Sequence, residues 1–168
     1  MKSHPENLLR ILEEISGLYE SLEGILKKEK LSLIQNSLDD IVEGTKQKET
    51  ITLKLSMLEE SREKVISEMS GILEKPKGEI DLTLLSKDPD PLTARRFAKL
   101  KETLTPLLKR VGQLQRENRC FIEESIKGIS STFSFFNKIT SETKTYRGSG
   151  EYGTLSNGAT GKVVCQQI

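Results

Sequence analysis

Residues 8–26 are LLRILEEISGLYESLEGIL, and the spacing of their apolar side chains decides the fold. Leu8, Ile15 and Leu22 lie seven residues apart, and a further apolar or aromatic residue follows each of them by three and by four positions. This spacing places one wide apolar stripe on a single helical face, with Glu, Lys and Ser on the opposite face. It predicts a long amphipathic helix that continues to about Ile34.

A second long helix is predicted from about Leu38 to Glu74. The pattern breaks at Asn36 and Ser37, where Ser37 is a favourable N-cap and Asp40 can cap the backbone in return. The sequence KPKG at 75–78 then ends the helix, because proline has no backbone N–H and glycine permits the turn. Two long amphipathic helices joined by so short a break predict an antiparallel hairpin.

A third long helix is predicted to follow the DPDP sequence at 88–91. The short apolar segment before it, 80–86, is expected to cap one end of the hairpin. The apolar pattern of the third helix continues to about Thr140 across Pro106, and an interior proline kinks a helix. We therefore expect one long kinked helix, or two helices end to end, packed along the hairpin in an all-α fold.

The character of the chain changes after Ser141, which predicts a helical bundle or coiled-coil domain over residues 1–141 and a tail over 142–168. The tail contains glycines and two tyrosines, Tyr146 and Tyr152. Such a composition buries too little apolar surface to offset the entropy of ordering the chain. We expect this tail to be flexible.

Composition argues against several classes of partner. Lys and Arg number 26 and Asp and Glu 25, so the net charge of +1 supports neither a nucleic-acid-binding protein nor one bound to an anionic membrane. No secretory signal follows Met1, and no apolar run reaches the roughly 20 residues that span a bilayer. We expect a cytoplasmic protein without stable membrane insertion, in which Cys120 and Cys165 are reduced thiols.

The residues that enzymes need are missing from the pattern. His4 is the single histidine, near a terminus, and no paired Cys/His cluster or phosphate-binding glycine loop is present. Adjacent glutamates on a helix point in different directions and form solvated faces. We therefore expect no catalytic residue, no cofactor, no metal and no small-molecule substrate. The sequence predicts a protein that works by binding other proteins.

Two short motifs carry a family resemblance. The third helix contains LQRENRCFIEESI at 114–126, in which Gln115 and Asn118 are followed by a pair of apolar residues. The tail contains TYRGSG at 145–150. Together with the order of the helices, these motifs resemble the FlgN family of flagellar type III export chaperones. The family usually has Asn where Gln115 stands and Gly where Arg147 stands.

The resemblance implies a cytoplasmic chaperone that binds the helical termini of the hook-filament junction proteins FlgK and FlgL. It also implies delivery of these clients to the export gate, whose platform protein is FlhA. An amphipathic helix can cover the apolar stripe of a client helix. The candidate client-binding residues on the third helix are Leu114, Gln115, Asn118, Phe121, Ile122, Ile129, Phe133, Phe135 and Phe136. The candidate residues for docking to the export gate are Tyr146 and Tyr152.

Each of these assignments has an alternative. The phenylalanines could form the core of the bundle, since helical stripes usually face their own domain. Gln115 and Asn118 could be interhelical amides that fix helix register, and the tyrosines could belong to a passive tail. The alternative functions are a structural coiled-coil protein that associates with itself and a chaperone of a related virulence-type secretion system.

Overall fold

The computed structural model describes residues 4–141 of the chain, with side chains up to residue 139. Three long helices account for most of it: α1 (His4–Gln35), α2 (Leu38–Leu73) and α4 (Pro91–Ser141). A 3₁₀ turn (Lys77–Glu79) and the short helix α3 (Leu82–Leu85) connect α2 to α4. The described residues contain no strand, and the predicted all-α fold is confirmed.

The described chain divides into two compact units, one ending at Glu123 and the other beginning at Glu124. The division falls within α4. The predicted flexible tail, 142–168, lies outside the described residues, so the boundary between a helical domain and a tail stays a prediction. None of the described helices is both long enough and apolar enough to cross a membrane.

The break between α1 and α2 lies where the sequence predicted it. Asn36 adopts a left-handed conformation with φ 54°, which ends α1, and the extended Ser37 begins α2. The predicted reciprocal cap between Ser37 and Asp40 is wrong, because the Ser37 hydroxyl does not bond to the helix backbone. It donates instead to Oδ2 of Asp40 at 2.6 Å. An N-cap would require the Ser37 oxygen to accept from a backbone N–H, whereas here the hydroxyl acts as the donor to a charged acceptor.

Ion pairs establish the directions of the three helices in the first unit. Lys48 of α2 pairs with Glu29 of α1, and His4 lies 3.3 Å from Glu68, so α1 and α2 are antiparallel. In the ion pairs between α1 and α4 the residue numbers increase together along the two helices, so α1 and α4 are parallel. They are Glu13 with Arg96 at 2.8 Å, Glu23 with Arg110 at 3.1 Å, and Lys30 with Glu117 at 2.8 Å. The first unit is thus an up–down–up bundle, which confirms the hairpin with a third helix along it.

The core of the first unit consists of two apolar clusters. One gathers Leu8 and Leu9 of α1, Val65 of α2 and Phe97 of α4, together with Ile80 and Leu85 from the connection. The connection therefore caps one end of the hairpin, as predicted. The other cluster joins all three long helices further along, through Leu22, Leu26, Ile51, Leu104, Leu107 and Val111.

Helix α4 continues through Pro106 as a single helix, so the alternative of two helices end to end is wrong. A proline removes one backbone donor and leaves the carbonyl of residue 102 without its usual partner. Glu102 and Pro106 are both exposed, so water can reach that carbonyl.

The start of α4 is defined by two residues. Pro91 occupies the first helical position, and the Asp90 carboxylate accepts a hydrogen bond from Thr93 N at 2.9 Å.

Candidate protein-binding surface

The second unit exposes a regular row of large apolar side chains on α4. Ile126, Ile129, Phe133 and Phe136, which we call the distal stripe, follow one another at intervals of three, four and three residues. Their exposed fractions are between 58% and 62%. At 3.6 residues per turn this spacing keeps all four side chains on one face of the helix. The sequence assignment included three of them and missed Ile126, although it belongs to the same repeat.

The spacing of the distal stripe also occurs earlier in the same helix, on buried side chains. Phe97, Leu100, Leu104, Leu107 and Val111 follow the same three- and four-residue spacing and are buried in the first unit. The same spacing thus carries buried side chains in the first unit and exposed side chains in the second. A monomeric domain rarely leaves so large an apolar row uncovered, and such rows mark surfaces that bind another molecule.

The polar residues around the distal stripe also distinguish it from an ordinary solvated helix. The ten residues from 128 to 137 include no Asp, Glu, Lys or Arg, although charged residues make up 30% of the whole chain. Depletion of charge is the compositional mark of the centre of a protein interface. This stretch of α4 therefore has both the apolar row and the uncharged surroundings of a binding surface.

Phe135 lies off the distal stripe, as the sequence indicated. It is 61% exposed, and its ring packs edge to face against Phe136, with centroids 6.2 Å apart and an interplanar angle of 66°. Such an arrangement suits the opposite charge of ring face and ring edge. The two rings widen the apolar surface beyond the single row of the distal stripe.

The remaining candidate client-binding residues lie in the first unit and have different surroundings. Phe121 is 44% exposed and Ile122 is half-buried. Leu114 is half-buried and packs against the cluster that contains Leu107 and Val111. Gln115 is exposed. The structure thus separates the candidates that face solvent from Leu114, which contributes to the bundle core.

Asn118 lies inside the bundle, with 3% of its surface exposed. Its amide nitrogen donates to Leu26 O at 2.9 Å and to Glu29 Oε2 at 2.8 Å. Glu29 is also buried and accepts from the Lys48 ammonium. One residue from each long helix therefore meets in a buried polar cluster, the arrangement expected of amides and charges that fix helix register.

Sequence analysis missed Glu29 and Lys48 as members of this cluster. The signal was present for Glu29, because it follows Leu22 and Leu26 on the buried face of α1 at intervals of four and three residues. A carboxylate on a buried face requires a partner, since burial of an unpaired charge is costly. No comparable signal marks Lys48, which lies in a polar stretch of α2.

A second electrostatic contact holds α4 against α1 nearby. The Arg110 guanidinium hydrogen-bonds both oxygens of the Glu23 carboxylate, and Lys27 approaches the same group at 2.8 Å. These bonds lower the pKa of Glu23 from 4.5 to about 2. Glu23 therefore remains ionised, and the contact remains intact, throughout the neutral pH range.

The other residues singled out from the sequence provide no reactive site within the described part of the chain. Residues 4–141 contain no group of three or more His, Cys, Asp or Glu side chains arranged to hold a metal. Cys120 is an exposed free thiol, and Cys165 lies outside the described residues. Tyr146 and Tyr152, the candidates for docking to the export gate, also lie outside them.

Comparison with known proteins gives one match. A protein-family model described as "FlgN protein" matches residues 1–154, which is most of the chain. No curated protein and no solved structure matches the chain.

Proposed function

The chain belongs to the FlgN family, and we propose that the distal stripe of α4 is the surface with which it holds its clients. FlgN proteins are cytoplasmic, non-enzymatic chaperones that serve the export of the hook-associated proteins FlgK and FlgL during flagellar assembly. The observation that carries the proposal is the exposed row of Ile126, Ile129 and Phe133 in an uncharged stretch of helix.

The physical basis is the packing of one amphipathic helix against another. A client segment with apolar residues at intervals of three and four would meet the distal stripe along about three helical turns. Covering this surface removes apolar area from water on both partners and keeps the client from associating through the same residues. We propose separately that the exposed Phe121 and the half-buried Ile122 of the first unit also contact the client.

We assign Leu114 and Asn118 a supporting role in this function. Leu114 packs in the bundle, and Asn118 bonds to Leu26 and Glu29 of α1. Both residues hold α4 in register with α1 within the first unit, so substitutions there are expected to affect the stability of the bundle. Gln115 is exposed beside them and is free to contact a client directly.

Hydrogen–deuterium exchange of the full chain tests the proposed surface. On addition of a FlgK carboxyl-terminal peptide, we expect the backbone amides of 126–136 to exchange more slowly, because a packed client opposes local opening of the helix. Amides of 8–26, in the core of the bundle, serve as the internal control and should keep their rates. Peptide binding that protects only α1 or α2 would contradict the proposal.

We propose in addition that Tyr146 docks the loaded chaperone on the export-gate protein FlhA. The support is the likeness of TYRGSG at 145–150 to the usual ending of the family. Gly148 and Gly150 follow Tyr146 closely and let the backbone adapt to a partner, and an aromatic ring that enters a desolvated pocket is a frequent binding hot spot.

Tyr146→Ala is expected to weaken binding of the client-loaded chaperone to the soluble domain of FlhA by about thirtyfold, which corresponds to the loss of one hot spot of about 2 kcal/mol. Affinity for the client should stay unchanged. Calorimetric titration measures both, and Tyr152→Ala provides the matched control. Equal FlhA affinities for wild type and Tyr146→Ala would exclude Tyr146 as the docking residue.

A further inference from the structure

A groove runs between α2 and α4 on the surface of the first unit. It consists of two adjoining cavities of about 390 and 380 Å³, and Ile15, Tyr19 and Glu59 line both of them. Its floor is apolar, with Ile15 and Leu22 of α1 lying there. Leu108 of α4 lines one side and is 41% exposed. We call this feature the α2–α4 groove, and it has the size and the apolar lining of a binding cleft.

A helical turn of this chain already fills one end of the space between α2 and α4. The short helix α3 packs its Leu85 into the core cluster that α1, α2 and α4 form. Its Thr83 hydroxyl accepts a hydrogen bond from the Lys101 ammonium of α4 at 2.8 Å. Leu82 and Leu85, three residues apart, line the α2–α4 groove at this end. The groove therefore begins where apolar side chains at helical spacing are already accommodated.

The length of the α2–α4 groove suits a further helix of three to four turns. Its lining on α4 extends from Leu104 to Gln115, which is about 16 Å at 1.5 Å per residue. On α2 it extends from Thr52 to Ile66, about 21 Å by the same measure. An amphipathic helix of this length would lay its apolar stripe on the floor and cover Leu108, as a fourth helix does in a four-helix bundle.

The α4 edge of the groove carries an unpaired positive charge. Arg116 folds back over Gly112, since its Nη1 lies 3.5 Å from the position that a Cβ on Gly112 would take. Gly112 follows Leu108 by one helical turn, which places it on the same side of α4. Within residues 4–141 no carboxylate forms an ion pair with Arg116. On the α2 edge, Glu59 is already bound by two nitrogens of Arg62.

We propose that the α2–α4 groove binds an amphipathic helix of a partner protein, and that acidic residues along one edge of this helix pair with Arg116. A carboxylate matches the geometry of a guanidinium and forms two parallel hydrogen bonds with it. The distal stripe of a second copy does not meet this requirement, because residues 128–137 contain no charged side chain. The groove lies in the first unit and the distal stripe in the second, so the inference does not depend on the proposed client surface.

Fluorescence anisotropy of a labelled synthetic peptide tests the groove on the full chain. The probe is a helical peptide of about fourteen residues with leucines at intervals of three and four and glutamates along one edge. Leu108→Glu should weaken its binding by at least about tenfold, because a carboxylate then lies in a desolvated contact. The control is Lys99→Glu, nine positions before Leu108 and thus on the opposite side of α4. It should keep the wild-type affinity, as should Ile126→Asp/Phe133→Asp.

Absence of peptide binding by the wild-type chain would overturn the proposal. Wild-type affinity in a folded Leu108→Glu chain would do the same, because the peptide would then bind elsewhere. Light scattering without peptide addresses the other occupant. A dimer of the 18.9 kDa chain that Leu108→Glu dissociates would show that a second copy fills the groove, and would also overturn the proposal.

A charge swap tests the pairing with Arg116 and does not depend on Leu108. Arg116→Glu should weaken binding of the peptide by about tenfold, since like charges then face each other along the α4 edge. A second peptide with lysines in place of the glutamates should bind the Arg116→Glu chain better than the first peptide does. Arg116 is exposed, so the fold should tolerate this change. Equal affinities of the two peptides for both chains would overturn the proposed acidic partner.

Discussion

Replacement of Ile126 and Phe133 together by aspartate is expected to weaken binding of a FlgK carboxyl-terminal peptide by at least about hundredfold. Each substitution removes a large apolar contact from the distal stripe and places a carboxylate where the client helix would pack. An unpaired charge in a desolvated contact costs several kcal/mol, so the two changes together exceed the roughly 2.7 kcal/mol that a hundredfold change requires. Calorimetric titration of the full chain with the peptide measures the effect.

The fold should survive these substitutions, because both side chains are mostly exposed in the client-free chain. The matched control is Ser131→Asp/Ser134→Asp, which adds the same charge to the same stretch of α4 away from the distal stripe. This control should bind the peptide almost as well as the wild type. Far-ultraviolet circular dichroism of both variants should match that of the wild type. A folded Ile126→Asp/Phe133→Asp chain that keeps its affinity would show that clients bind elsewhere.

Phe97→Ala is expected to lower the free energy of unfolding by about 3–5 kcal/mol. The Phe97 side chain is completely buried in the cluster formed by the ends of α1 and α2 and the connection to α4. Its truncation removes apolar burial and leaves a cavity that the surrounding helices fill only in part. Most single domains have a total stability of about 5–15 kcal/mol, so this change alone removes a large share of the free energy of unfolding.

Phe135→Ala is the matched control for this stability effect, since it removes the same group from the same helix. Phe135 is 61% exposed, and the substitution should change the free energy of unfolding by no more than about 0.5 kcal/mol. Urea denaturation followed by circular dichroism compares the two variants. Equal destabilisation would mean that Phe135 is as buried in solution as Phe97, which would contradict the exposure of its ring on the second unit.

The two phenylalanines also show where sequence analysis succeeded and where it did not. The apolar repeat identified α4 as a long amphipathic helix, but it is the same around Phe97 and around Phe133. Whether a stripe is buried depends on whether other helices lie beside it, and that is a property of the assembled bundle. The sequence left the core and the partner surface as alternatives for Phe121, Phe133, Phe135 and Phe136, and in the structure these four side chains are exposed.

The sequence by itself determined the all-α class, the break before Ser37 and the end of α2 before Pro76, because helix periodicity and the backbone limits of proline and glycine act over a few residues. Only the tertiary structure decided that Asn118 is buried and Gln115 exposed, and that Glu29 and Lys48 complete the polar cluster. Two amides three residues apart look alike in a sequence. Their roles differ because burial and hydrogen bonding depend on which side of α4 the neighbouring helices occupy, and residues distant along the chain set that arrangement.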